Sequence, residues 1–269
     1  AIEDKTLTPN WTANTYTVTL NKNATDATAG TASVTATYGS AMPTSSVTMP
    51  TRSGYLFAGY YDTSNATGGV QYYTSTGASR RAWNKTANTT LYARWTPALY
   101  NATLNKNADD ATAGTASVTG IYAAAMPTTQ PNLLDTAIIR TKLCEASSGK
   151  YPYSDTSTAG YNIFIRVLPN TSYTYTATAA GSRQGVYEYN SIVDPDQYTA
   201  SPVDKLTPDR IIKAGGSSGV TSYTFTTGAN AKMVMLYLAN TVATRPTGLK
   251  IYPTARVADT AVTMPTRTG

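Results

Sequence analysis

At 269 residues the chain is long enough for one large domain or two to three small ones. It has no histidine and one cysteine, Cys144. Imidazole-based acid/base chemistry, His-containing catalytic triads, zinc spacings and intrachain disulfides are therefore excluded. The formal charge of +6 comes from Lys and Arg spread along the chain apart from the pair Arg80 and Arg81. This is not the basic stripe of a nucleic-acid binder, so solubility or weak attraction to anionic cell-surface polymers is expected and no nucleic-acid partner is.

Thr, Ala, Tyr, Ser, Val and Gly dominate, charged residues make up 13%, and phenylalanine occurs only three times. Cores must then be built from β-branched and tyrosine side chains, which fits a mainly β protein. The start, "AIEDKTLTPNW", has no apolar signal-peptide core. No run of about 18 apolar residues offers a membrane span.

From residue 13 the strands appear in order. "TYTVTL" alternates Tyr16, Val18 and Leu20 against threonines, the period of a half-buried strand. "TASVTATYG" supplies Val34 and Tyr38, and "GSAMPTSSVTMPTRSG" is a Pro-containing loop or at most a short helical turn. "YLFAGYYDT" and "TTLYARWT" are further strands, with Phe57, Leu91, Tyr92 and Trp95 expected in the core.

The unit then recurs. "TLNKNATDATAGTASVT", residues 19–35, returns as residues 103–119 with one change, Thr25 to Asp109. Leu20 and Leu104, Gly30 and Gly114, and Pro43 and Pro127 all lie 84 positions apart, and Leu7 and Trp11 keep the same register with Leu91 and Trp95. The second copy departs at about Gln130. Its continuation, "VTMPTRTG" at 262–269, matches "VTMPTRSG" at 47–54 with an offset of 215, so 131 residues intervene. Pro-rich loops tolerate insertion because few core contacts cross them.

The expected organisation is residues 1–12 as the end of a preceding repeat, 13–97 a complete repeat, 98–129 plus 260–269 a split second repeat, and 130–259 an inserted domain. The alternative is an insert standing free between separate repeats. Ala1 falls at repeat position 85 and Gly269 at position 54, so equivalents of residues 55–84 are missing at both ends. A segment of a longer repetitive polypeptide is expected.

The succession "YTVTLNKN", "VTATYGSAMP", "PTRSGYLFAGYYD" and "LYARW" resembles the internalin B-type (Listeria/Bacteroides) repeat in its long variant. The resemblance implies a small β-grasp-like module on secreted, surface-attached bacterial proteins, used in tandem as a stalk or adhesive spacer and without catalysis. Neighbouring repeats or copies of the chain in a fibre are the partners it implies.

Within the insert, "YNIFIRVLP", "SYTYTATA", "GVYEYN", "TSYTFTTG", "AKMVMLYLA" and "GLKIYP" are short strands between turn residues, the pattern of a β-sandwich. "LPNTSYTYTATA" and "FTTGANAKMVMLYL" resemble pieces of jelly-roll carbohydrate-binding modules. Cell-surface glycans are the partner this implies.

Sugar binding needs exposed aromatic faces and fixed polar groups. Tyr187 and Tyr189 share one strand face, with Arg183, Glu188 and Asp196 near in sequence. They read either as a stacking platform or as core tyrosines. Asp194, Asp196, Asp204 and Asp209 are ligand types that suit Ca²⁺, though their spacing matches no known loop. No pair of carboxylates is marked out for glycosidase work, and no cofactor or metal is expected. Seven N-x-S/T sequons, at Asn10, Asn23, Asn65, Asn84, Asn88, Asn101 and Asn170, arise readily in a chain this rich in Asn and Thr.

Two functions follow. One is a non-catalytic extracellular stalk or adhesive fibre that displays the insert. The other is a carbohydrate-binding module carried on a repeat spacer.

Overall fold

The protein is mainly β, and its described residues include two short 3₁₀ turns but no α-helix. Its structure, a computed structural model, describes residues 8–125, 130, 132–141, 144–152, 160–177, 183–199, 201, 204–216, 219–239, 248–254 and 261–267. Chain contacts divide into two units, Ala1–Ser53 with Phe57–Trp95 and Gly54–Leu56 with Thr96–Gly269.

In the first unit, β1 (Thr15–Asn21) and β2 (Ser33–Thr37) pair antiparallel from Thr15↔Thr37 to Thr19↔Ser33. With β3 (Tyr55–Tyr61), β4 (Gln71–Tyr73) and β5 (Thr89–Pro97) they form one mixed sheet of order β2-β1-β5-β3-β4. β1 runs parallel to β5, with Val18 opposite Thr89 and Leu20 opposite Leu91. The alternation in "TYTVTL" is obeyed: Val18 and Leu20 are buried while Thr17 and Thr19 face solvent. β4 was not legible as a strand, because its three residues are all buried and show no alternation.

Trp83 is the centre of this core, wholly buried among Tyr60, Tyr72, Tyr73 and Met42. It is pinned through its backbone. Gly39, at φ +78 in the Tyr-Gly turn, donates to the Trp83 carbonyl at 2.8 Å, and the Trp83 amide donates to Ser40 O at 2.8 Å. Leu91 and Ala93 are buried on β5, whereas Tyr92 points to the other face, half-buried and outside that cluster. Trp95 packs edge-on to Phe57 at 5.7 Å and donates its indole N–H to Lys22 O at 2.8 Å.

Burial pushes the hydroxyls of Tyr60 and Tyr73 up to about 12 from 10. A phenol whose folded-state value is raised supports the fold fully below its unfolded value and withdraws that support as pH rises toward the folded one. First-unit stability is therefore expected to hold to about pH 10 and fall between pH 10 and about 12. The share of tyrosinate absorbance lost in Tyr60→Phe and in Tyr73→Phe, recorded with tryptophan fluorescence, checks this among the 21 tyrosines: that share should appear only as the fluorescence transition occurs. Ionisation near pH 10 with fluorescence unchanged would contradict it.

The second unit opens with β6 (Leu99–Thr103) and β7 (Ser117–Ile121), paired from Leu99↔Ile121 to Thr103↔Ser117, the β1–β2 register moved by 84. The loops after β1 and β6 are built alike. Lys22 Nζ donates to the carbonyls of Thr25 (3.0 Å) and Ala27 (2.6 Å), and Lys106 Nζ to those of Asp109 (2.6 Å) and Ala111 (3.1 Å).

Each loop is then closed by a Pro-rich segment. Thr28 bridges Thr51, Thr31 N donates to Thr48 O at 2.9 Å, and Arg52 pairs with Asp26 at 2.9 Å. In the second unit Thr112 bridges Thr266, Thr115 N donates to Thr263 O at 2.8 Å, and Arg267 pairs with Asp110 at 2.9 Å. Residues 262–267 thus take the place that 47–52 take in the first unit. A Cβ on Gly30 or Gly114 would lie 2.2 or 2.3 Å from the carbonyl oxygen of Thr48 or Thr263, so only glycine permits that approach.

The remaining strands are β8 (Ile138–Arg140), β9 (Gly160–Arg166), β10 (Ser172–Thr176), β11 (Arg183–Tyr189), β12 (Arg210–Gly216), β13 (Ser222–Thr226), β14 (Met233–Ala239) and β15 (Lys250–Pro253). They make a five-stranded sheet, β12-β11-β14-β9-β8, and a three-stranded one, β13-β10-β15. One core joins the two layers: Ile163, Ile165, Val186, Val234 and Leu236 from the first meet Tyr173, Tyr175, Phe225 and Ile251 from the second. The large sheet is buried on its other face too, where Phe164, Tyr187, Tyr189 and Met235 lie beneath Cys144, Tyr151, Ile192 and Leu206. Burial on both faces explains why "AKMVMLYLA" reads as continuously apolar.

Candidate functional site

The residues singled out for sugar stacking are core residues. Tyr187 is 0% and Tyr189 1% exposed, so neither ring offers a face to a ligand, and the platform expectation is corrected. The covering segment makes the difference. The Tyr187 hydroxyl donates to Ala146 O and accepts from Gly215 N at 3.0 Å. Its ring lies in a slot lined by Gly149 and Gly185, where an added Cβ would come within 2.2 and 2.5 Å. The Tyr189 hydroxyl contacts Met235 Sδ at 3.9 Å and Phe164 lies 6.2 Å from its ring. Burial pushes both phenols well up. Arg183 starts β11 at its exposed end, four residues from Tyr187 and thus roughly 13 Å along the strand.

Glu188 faces the opposite way and is also buried, at 3% exposed. Its carboxylate accepts from Arg210 Nη2 (2.6 Å) and Nε (3.2 Å) and from Gly228 N (2.8 Å), locking β11 and β12 to the turn before β14. That hydrogen bond raises the Arg210 pKa. The acidic loop does not converge either. Asp194 accepts from Asp196 N (3.1 Å) to cap the 3₁₀ turn Pro195–Gln197, and Asp196 takes both Arg140 Nε and Nη2 at 2.5 Å. Asp204 accepts from Thr199 Oγ1 (3.0 Å) and Asp209 from Asn190 N (2.8 Å). Among the described residues no group of three His, Cys, Asp or Glu could hold a metal ion. Cys144 is buried, and burial pushes its thiol far up, which makes it unreactive.

The tertiary structure instead brings together residues that the sequence leaves apart. A cavity of about 560 Å³ in the second unit is lined by Arg166, Leu168, Asn190, Asn230, Lys232 and Leu99, among others. Strand pairing assembles it. Arg166 ends β9 opposite Met233, which places Lys232 alongside, and Lys232 N donates to Tyr189 O (2.9 Å), which brings up Asn190. Asn230 sits in the turn closed by Ala231 N to Gly228 O.

Arg166 is the chemically unusual group. Its Nη1 donates to Pro97 O, and no carboxylate pairs with it among the described residues. Burial depresses its pKa with nothing offsetting. A guanidinium has five N–H donors, so most of its capacity remains unused. No sequence signal marks this group, because its polar members are spread from 166 to 232 and none falls in a motif. Compared with family models, with curated proteins and with solved structures, the chain matches none.

Proposed function

We propose that the chain is a non-catalytic, extracellular stalk or adhesive segment made of internalin-type repeats. The first repeat is read as a β-grasp-like module. The second is read as split by an inserted two-layered β domain that it displays. Partners in this reading are neighbouring repeats or further copies in a fibre.

The observation that carries it is the adjacency of β1 and β5, the first and last strands of the repeat, in parallel at the centre of the sheet. Tension applied through the two chain ends of that unit pulls these strands in opposite directions along their length. All ladder bonds between them then carry load together in shear instead of opening one at a time. The near-identical closure of both loops, by 47–52 in one case and 262–267 in the other, supports reading 130–259 as an insertion that leaves its host repeat in register.

Single-molecule stretching of the chain held by its ends tests the stalk reading. One abrupt high-force event that releases the length of the first repeat is expected, and Val18→Pro, which interrupts β1, should abolish it. Gradual extension of that repeat at low force would refute a tension-bearing role.

A further inference from the structure

We propose that the cavity around Arg166 binds the carboxylate of an acidic sugar, a uronic or sialic acid residue of a glycan. The proposal does not depend on the stalk reading, and it places recognition at a site distinct from Tyr187 and Tyr189.

Three observations converge on it. The first is the half-buried guanidinium, which donates to Pro97 O and has no carboxylate partner among the described residues. Taking a charge partly out of water without an ionic partner is unfavourable, and groups perturbed in this way cluster at functional sites. A planar guanidinium matches a carboxylate in two parallel hydrogen bonds.

The second is the chemistry around it. Lys232 on the exposed rim adds a second positive charge, and among the described residues no ion pair engages it. The side-chain amides of Asn190 and Asn230 make no hydrogen bond within the described residues, and each offers donor and acceptor positions suited to hydroxyls. Leu168 and Leu99 supply apolar wall for the carbon face of a ring. Asp209 accepts from the main-chain N–H of Asn190 at 2.8 Å, and among the described residues it makes no ion pair with Arg166.

The third is size. About 560 Å³ lies within the roughly 300–1,000 Å³ of small-ligand sites and exceeds what a lone inorganic anion fills.

Calorimetric titration of the full chain with sodium glucuronate, with glucose and sodium acetate as controls, is the test. Glucuronate should bind, glucose should not, and acetate should bind more weakly than glucuronate. Arg166→Gln should weaken glucuronate about tenfold or more, since hydrogen bonds to charged groups are the strong ones. Arg166→Lys should also lose much of the affinity because it cannot form the two-bond fork.

Lys232→Ala lies on the exposed rim and keeps the fold, so it should give a smaller loss and a flatter salt dependence. A structural role for Arg166 would appear as a lower melting temperature in Arg166→Gln. A ligand-binding role predicts a melting temperature unchanged or raised, because a partly desolvated charge without a carboxylate partner has been removed. Absence of glucuronate binding at tens of millimolar, equal affinity for glucose, equal affinity for acetate, or unaltered binding by Arg166→Gln and Lys232→Ala would each overturn the proposal.

Discussion

Tyr187→Ala is expected to destabilise the second unit by about 3–5 kcal/mol, the range for emptying a large aromatic site in a core. Three costs act together. The ring is wholly buried and packed against Gly149 and Gly185, so its removal leaves a cavity whose walls are backbone and cannot collapse easily. The Ala146 carbonyl loses one of its two donors, and the Gly215 amide is left with the Ala146 carbonyl as its acceptor. The covering segment is then held to β11 by less.

Tyr187→Phe separates these costs. It retains the ring and removes only the hydroxyl, while the Gly215 amide and the Ala146 carbonyl stay bonded to each other, so a loss of about 0.5–1.5 kcal/mol is expected. Chemical denaturation followed by far-ultraviolet circular dichroism measures both variants. An alanine variant as stable as the parent would mean that the ring does not fill the core. Because the ring has no exposed face, Tyr187→Ala should weaken any glycan binding only through loss of folding, whereas Arg166→Gln should weaken it with folding intact.

In the first unit the corresponding expectation is a loss of about 3–5 kcal/mol for Trp83→Ala. Trp83 is the largest fully buried side chain and stacks at a tilt on Tyr72, with ring centres 5.1 Å apart. It also reaches across the sheet toward Met42 and Tyr60 within one cluster. Its indole N–H has no hydrogen-bond partner among the described residues. Trp83→Phe therefore gives up volume but also removes an unsatisfied donor, and a loss of only ~1–2 kcal/mol is expected.

The readout is specific, since Trp11, Trp83 and Trp95 all lie in the first unit and fluorescence follows that unit alone. In the Trp83 variants Trp95 remains as reporter, held by Lys22 O and Phe57. Equal losses for the alanine and phenylalanine variants would show that the cavity is not the source of the effect.

Much of the architecture could be read from residue order, where local chemistry decides it. "TYTVTL" must put Val18 and Leu20 on one face because the side-chain period of a strand is two. The 84-residue offset was visible without any structure, and it carries over to the register of β6 with β7. The conservation between the two copies of the loop now has a cause. Lys22 and Lys106 each bind main-chain carbonyls, and the one difference, Thr25 against Asp109, falls where only the main-chain oxygen is used. Gly30 and Gly114 are retained because backbone from a distant segment lies against them.

What residue order left open was decided by contacts between segments far apart in the chain. Alternation placed Tyr187 and Tyr189 together on one face of β11, but a strand's period does not say whether that face meets solvent. The segment around Ala146 and Tyr151, some forty residues away, covers it. β4 was missed because complete burial erases alternation. The Arg166 cavity was missed because strand pairing alone makes neighbours of residues 166, 190 and 232.

The sequence by itself thus determined the alternating and apolar strands, though not β4, β8 or β12, together with the repeat register and the chemistries that a chain without histidine lacks, since these depend on composition and on spacing along the backbone. The tertiary structure alone decided which faces are covered and that the half-buried Arg166 borders a cavity. Both depend on long-range packing, which is not encoded at any one position.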